Sequence, residues 1–204
     1  MSLTLDLDNL SQIGGFPVTK IGEPIVLETS KGKAIAFNGI DQGLILSGNS
    51  IKGASAFTIE IIFKPDSSFP HNVEQRFIHI QNLKNENSRI LIELRLTPDK
   101  QWFLDTFIKS DDRALTLYAD NYLHSVDQWY HAALVYSNGT MKHFVNGIEE
   151  MSGLVDYTPI EEGDTSIGMR INQISWFKGL IQTIRMTPLA LNPDEFISVG
   201  KIPA

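Results

Sequence analysis

The 204-residue chain is 42% hydrophobic, carries a formal charge of -7 with a pI near 5.2, and contains no cysteine. That size and apolar content suit a single domain over residues 1–204 with one core. The acidic balance and the lack of any Lys/Arg run argue against nucleic acid as a partner, no stretch approaches the roughly 20 apolar residues that span a bilayer, and disulfides and thiolate chemistry are excluded.

In chain order, alternating or β-branched runs bounded by turn residues recur at Ala34–Phe37, Leu44–Leu46, Phe57–Phe63, Phe77–Ile80, Ile90–Leu96, Trp102–Ile108, Leu115–Tyr118, Tyr130–Tyr136, Met141–Val145, Ser166–Met169 and Gly179–Met186. Helical periodicity is nearly absent, so these eleven short strands predict an all-β sandwich. Asn38-Gly39, Lys52-Gly53, Asn138-Gly139, Asn146-Gly147 and Glu162-Gly163 supply residues that tolerate positive φ where antiparallel strands reverse. Trp129–Tyr136 and Met141–Val145 then form one hairpin about Asn138-Gly139, tied off by Asn146-Gly147. Residues 65–75, 81–89 and 156–165 read as polar loops. One short helix is predicted over Leu191–Val199, with Asn192 as cap, Pro193 at the first helical position, and Asp194 and Glu195 at the positive end of the dipole.

Four segments, standing in order, carry a family resemblance. They are Phe57-Thr58-Ile59-Glu60-Ile61-Ile62-Phe63-Lys64-Pro65, the Trp129–Gly147 hairpin, Thr165-Ser166-Ile167-Gly168, and the closing stretch from Phe177-Lys178-Gly179 through Arg185, Leu189-Ala190-Leu191 and Pro193-Asp194-Glu195-Phe196. Together they resemble the concanavalin A-like lectin and glucanase superfamily in its laminin G-like (LamG) bacterial form, over a core of about residues 34–196. The resemblance implies a jelly roll of two antiparallel sheets, one convex and one concave, with ligands met on the concave face or its rim loops. It also implies glycans or protein surfaces as partners, and an extracellular, periplasmic or cell-surface location. The start, Met-Ser-Leu-Thr-Leu-Asp, has neither the positive nor the apolar region of a signal peptide, so the location rests on the resemblance alone.

Alternation assigns candidate site residues to faces. In Ile90–Leu96 the even positions are apolar, which leaves Glu93 and Arg95 outward. Thr58, Glu60 and Ile62 likewise oppose the apolar set Phe57, Ile59, Ile61 and Phe63. If the two strands are neighbours in one sheet, Glu60, Glu93 and Arg95 share a surface, joined by His79, Asp105, Lys109, His131 and Trp176. A salt-bridged, solvated sheet face explains the same charges.

Glycan binding needs an aromatic face for the sugar's C–H surface and planar polar groups for its hydroxyls. Trp102, Tyr118, Tyr122 and Trp176 offer the first; Arg170, Asn172, Gln173, Glu93 and Arg95 offer the second. Core packing is the competing explanation for Trp102 and Trp129. A retaining glucanase places two carboxylates about 5–5.5 Å apart. The Glu-x-Asp-x-x-Glu strand of the family's glucanases is absent, since Arg95 stands where the second carboxylate belongs. That arginine is expected to depress the pKa of Glu93 and make it a poor general acid. Calcium accompanies many relatives and stays open, because loop acids such as Asp111, Asp112, Asp156 and Glu161 form no ordered Asp-x-Asp loop. The five histidines lack zinc-ligand spacing.

The resulting expectation is a non-catalytic, lectin-like carbohydrate-binding module that takes an oligosaccharide or polysaccharide. The alternatives are a protein-interaction or adhesion module that uses rim loops such as 81–89, and a divergent glycoside hydrolase that uses Glu60 and Glu93.

Overall fold

The structure, a computed structural model, describes residues 2–68 and 73–197. Its strands in chain order are β1 (Leu3–Asp6), β2 (Gln12–Ile13), β3 (Phe16–Ile21), β4 (Ile25–Thr29), β5 (Gly32–Asn38), β6 (Gly43–Leu46), β7 (Phe57–Pro65), β8 (Glu74–Asn82), β9 (Ser88–Leu96), β10 (Gln101–Ser110), β11 (Arg113–Tyr118), β12 (His124–Ser125), β13 (Tyr130–Ser137), β14 (Thr140–Val145), β15 (Ile148–Leu154), β16 (Gly163–Ile167) and β17 (Lys178–Thr187). They form two antiparallel sheets. The eight-stranded sheet is ordered β15-β14-β13-β7-β17-β5-β4 with β1 beside β17, and the nine-stranded sheet β11-β10-β9-β8-β16-β6-β3-β2 with β12 beside β10. Residues 1–33, which show no clear strand pattern, nonetheless supply β1 to β4 at the margins of both sheets.

Alternation places the core between the sheets. Ile59, Ile61 and Phe63 of β7 meet Ile90, Ile92 and Leu94 of β9 and Trp102 and Leu104 of β10 in one buried cluster. Phe63 stands at its centre, with ring centroids 4.3 Å from Phe77 and 5.1 Å from Trp102. Each such side chain contributes about 1.5–3 kcal/mol on burial. Trp102 is therefore a core residue, with its indole N–H donating to Ser125 O at 3.2 Å. Trp129 is only half-buried, just before β13.

The expected turns at Gly39, Gly53, Gly139 and Gly147 have positive φ, whereas Glu162-Gly163 is corrected: Gly163 opens β16 and has no positive φ. Asn138 and Gly139 have φ 48 and 77, and Asn146 and Gly147 φ 49 and 79, the paired left-handed values that a two-residue reversal requires. Gly168, which ends the Thr-Ser-Ile-Gly segment, has φ +77, and a Cβ there would meet the Phe37 ring at 2.7 Å. Only glycine fits.

The predicted C-terminal helix is corrected to a single 3-10 turn, Pro193–Glu195. Its start forms as expected, with the Asn192 N–H donating to the Glu195 carboxylate at 2.9 Å. It ends because Phe196 turns extended (φ -66, ψ 157) to pack against His131 and Phe144, while the Ile197 N–H donates to the Glu60 carboxylate at 2.7 Å. Positions 198 and 199 of the expected helix lie outside the described residues. Among those described, no helix is long and apolar enough to cross a membrane.

Candidate functional site

The outer face of the nine-stranded sheet carries a connected network of charged side chains, Glu74, Arg76, Glu93, Arg95 and Asp105. Antiparallel register aligns Glu93 with Asp105 and Arg95 with Phe103 across β9 and β10, and Asp105 with Tyr118 across β10 and β11. On the other side, β8 pairs Glu74 with Arg95 and Arg76 with Glu93. Strict alternation in β8 cannot place both Arg76 and His79 outward, because they are three residues apart. A β-bulge between Arg76 and Ile78 absorbs the odd residue. Phe77 and Ile78 both enter the core, and Arg76 joins Glu93 on the outer face.

A pocket of about 170 Å³ opens on this face, lined by Arg76, Arg89, Leu91, Glu93, Arg95, Asp105, Phe107, Thr116 and Arg170. Leu91 and Phe107 provide apolar surface. Arg95 donates to Asp105 at 2.8 Å, Glu74 at 2.6 Å and Glu93 at 3.2 Å, while Arg76 Nε lies 2.7 Å from Glu93 and its Nη1 pairs with Glu74. Beside the pocket, Tyr118 is 44% exposed, edge-on to Phe103 at 4.7 Å, with the Arg95 guanidinium 5.6 Å from its ring centre. The loop after β16 forms one rim. It is folded by Arg170 N–H to Ile174 O (2.9 Å) and Gln173 N–H to Arg170 O (2.8 Å), and fastened to β8 by Arg76 N–H to Ser175 O (3.0 Å).

Burial dominates the electrostatics. It raises the Glu93 pKa to about 8, outweighing the opposing pull of Arg76, while Asp105 and Glu74 push the same way as burial. The expected depression by Arg95 is therefore corrected: the guanidinium is present, but it acts on a carboxyl already withdrawn from water. Burial also raises Asp105. At neutral pH the proton kept on Glu93 supplies a donor for Asp105, whose Oδ1 is buried and otherwise without a partner. His79 is driven down to about 3 by burial and then by Arg170, Arg76 and Arg89, so its ring is neutral.

Of the residues picked from the sequence, Glu93, Arg95, Asp105 and Arg170 line the pocket together. His79 lies on the same face of the sheet, fully buried. Lys109 shares the face near the end of β10, paired with Arg89 and Ala114, and does not line the pocket. Asn172 is exposed on the rim loop and Trp176 is half-buried at its end; neither lines the pocket.

Glu60 is a correction. Its strand, β7, lies in the other sheet between β13 and β17, so Glu60 and Glu93 share no surface. Glu60 is fully buried and accepts from His131 Nε2 (3.1 Å), Arg185 Nε and the Ile197 N–H (2.7 Å). His131 goes with it. The expected Glu60–Glu93 acid pair does not exist.

The sequence reading missed Arg76, Arg89, Leu91, Phe107 and Thr116. Leu91 alternates with Glu93 and Arg95 inside the predicted Ile90–Leu96 strand, and Arg89 continues the same face once that strand starts two residues earlier, at Ser88. Phe107 shares its parity with Asp105 in the same way. Among the described residues, no three His, Asp or Glu side chains converge as a metal site would require.

An all-β sandwich with a charged, pocketed outer sheet face defines the class, and the family comparison agrees. Laminin_G_3 of the concanavalin A-like lectin/glucanases superfamily matches residues 38–196, and the chain belongs to that family. Among solved structures it is similar to domain 4 of AbnA, an extracellular GH43 arabinanase from Geobacillus stearothermophilus, in complex with arabinotriose. That match has TM-score 0.70 and 22% identity, and covers 95% of this chain and 94% of that one. It is also similar to the CBM40 of the Ruminococcus gnavus IT-sialidase bound to α2,3-sialyllactose (TM-score 0.60, 17% identity, 86% and 95% covered). The binding domain of botulinum neurotoxin DC in complex with SialylT is similar at TM-score 0.67 and 13% identity, with 94% of this chain and 48% of that one covered. At such identities the likeness is one of fold. No curated protein matches the chain significantly in sequence.

Proposed function

We propose that this chain is a non-catalytic carbohydrate-binding module of an exported or surface protein, with the glycan seated on the outer face of the nine-stranded sheet. The observation that carries the reading is the combination in one place of an apolar floor (Leu91, Phe107), fixed planar polar groups, and the exposed ring of Tyr118. Those are the surfaces a sugar's C–H face and hydroxyls need. Similar folds solved in complex with arabinotriose and with α2,3-sialyllactose add support.

The hydrolase alternative has one observation in its favour, a Glu93 that stays protonated near neutral pH. The site uses its carboxyls differently. Glu93 and Asp105 are tied to Arg95, and Glu93 also to Arg76, within the sheet itself. A general acid must instead reach the glycosidic oxygen.

Thermal unfolding against arabinotriose, sialyllactose and a wider oligosaccharide panel, each with calcium and with chelator, tests the reading, because a ligand of the native state raises the midpoint by mass action. At least one sugar is expected to raise it, with Tyr118→Ala weakening that sugar about tenfold and no sugar being cleaved. A panel without any shift up to millimolar concentration would move the assignment to protein adhesion, and cleavage abolished by Glu93→Gln would move it to hydrolysis.

A further inference from the structure

We propose that the glycan this pocket takes is acidic, a carboxylated or sulfated sugar whose anionic group is held between Arg89 and Arg170. The inference rests on the glycan-binding reading above and names the ligand class within it.

The four arginines of the pocket are not equivalent. Arg95 and Arg76 are neutralised by Glu74, Glu93 and Asp105. Arg89 and Arg170 have no carboxylate partner among the described residues. Arg89 Nη1 donates only to the Glu86 backbone O at 2.6 Å, its guanidinium rests 5.2 Å from the Phe107 ring centre, and its Nε is buried with no acceptor. A buried guanidinium donor left unpaired is costly, and such a group marks a place where an acceptor is missing.

Arg170 stands close enough that, after burial, it is the main influence disfavouring the charge on Arg89. Two guanidiniums face one pocket; the exposed Glu86 carboxylate favours the charge on Arg89 from outside it, but burial and Arg170 outweigh Glu86, which leaves this corner positive in an otherwise acidic protein. His79 adds a neutral donor to this corner. Its Nδ1 accepts the Ile171 N–H at 3.0 Å, so the ring proton sits on Nε2, which is buried and unpartnered. The carboxyls that line the pocket do not cancel the field, since Glu93 and Asp105 hold a proton between them and face Arg76 and Arg95.

Paired guanidinium forks match the oxygens of a carboxylate or sulfate. The adjoining Leu91 and Phe107 surface suits the ring that carries the anion, which separates an acidic sugar from a free inorganic ion.

The test is isothermal titration at low and moderate salt with four kinds of probe. They are oligogalacturonate and its carboxyl-reduced form, α2,3-sialyllactose and lactose, a sulfated galactan oligomer and its desulfated form, and sodium sulfate alone. At least one acidic sugar is expected to bind ten times or more tightly than its neutral counterpart, to weaken with salt, and to lose about tenfold in Arg170→Ala. Arg170 lies on the rim loop, and Arg89→Gln, which removes the guanidinium charge and keeps a polar side chain, gives a second reading. Carboxylated and sulfated probes tell which anion is preferred. Equal binding of acidic and neutral partners overturns this inference and leaves the glycan reading standing; sodium sulfate binding as well as any sugar overturns it in favour of a simple anion site. No binding by any probe overturns this inference, and the glycan reading then falls only if the wider oligosaccharide panel, arabinotriose included, also gives no thermal shift.

Discussion

The two outer faces of this sandwich treat a buried glutamate in opposite ways. On the eight-stranded sheet, residues 189–197 lie over the surface. Thr58 holds Leu189 O and the Leu191 N–H, both at 2.9 Å, and Glu60 takes donors from His131, Arg185 and Ile197. Burial favours the neutral form of Glu60, but those donors win and hold its pKa below the ordinary value. On the nine-stranded sheet no segment among the described residues covers the pocket. Glu93 shares its arginines with Glu74 and Asp105, and burial raises it to about 8. Among the described residues, Glu60 and Thr58 on the covered face have all their named donors and acceptors engaged, while the pocketed face still has Arg89 Nε and His79 Nε2 unpaired. Buried charge that is fully satisfied serves stability, whereas buried polar atoms left unsatisfied are costly and call for a partner, which the proposed glycan would supply.

The sharpest way to break the comparison is Glu60→Ala. It strands Arg185 and His131 and frees the 189–197 segment, with an expected loss of about 3–5 kcal/mol, read by chemical denaturation, and no change in affinity at the pocket. A loss under about 1 kcal/mol, or a binding defect, would erase the distinction between the faces.

pH sharpens it next. Glu93, raised in the fold, contributes stability that is fully present below its unfolded value of 4.5 and is lost as pH climbs through about 8. Glu60, depressed in the fold, contributes stability present above 4.5 and lost as pH falls through its folded value. The two faces therefore weaken at opposite ends of the pH range. Melting curves should show Glu93→Gln flattening the decline between about pH 5 and 8 while leaving the acid limb unchanged. An identical decline in that variant would show that Glu93 does not hold its proton.

The smallest effect is expected at Lys109→Ala. Lys109 shares the open face but lies outside the pocket, so stability should change by no more than about 0.5 kcal/mol and affinity not at all. A clear loss of binding would extend the site along β10.

Much of this was legible in the sequence. The Asn138-Gly139 and Asn146-Gly147 reversals, the inward sets of β7 and β9, and the outward pair Glu93 and Arg95 follow from turn chemistry and period-two patterning alone. Alternation also turned Glu60 away from the core, correctly. It could not say which sheet β7 joins, because that depends on contacts between residues far apart in the chain, and so Glu60 was given the wrong neighbours. Arg76 was hidden for a different reason: counting by twos from the buried Ile78 and Ile80 sends it inward, and only the bulge at Phe77 reverses that. The helix after Asn192 had every local start signal, yet one apolar side chain, Phe196, found a better place against the sheet.

Both ends of the described chain lie on the eight-stranded side, since β1 is hydrogen-bonded to β17 and residues 189–197 run across that sheet. Attachment at the described ends, near Ser2 or near Ile197, therefore holds the protein by the sheet opposite the one that carries the pocket.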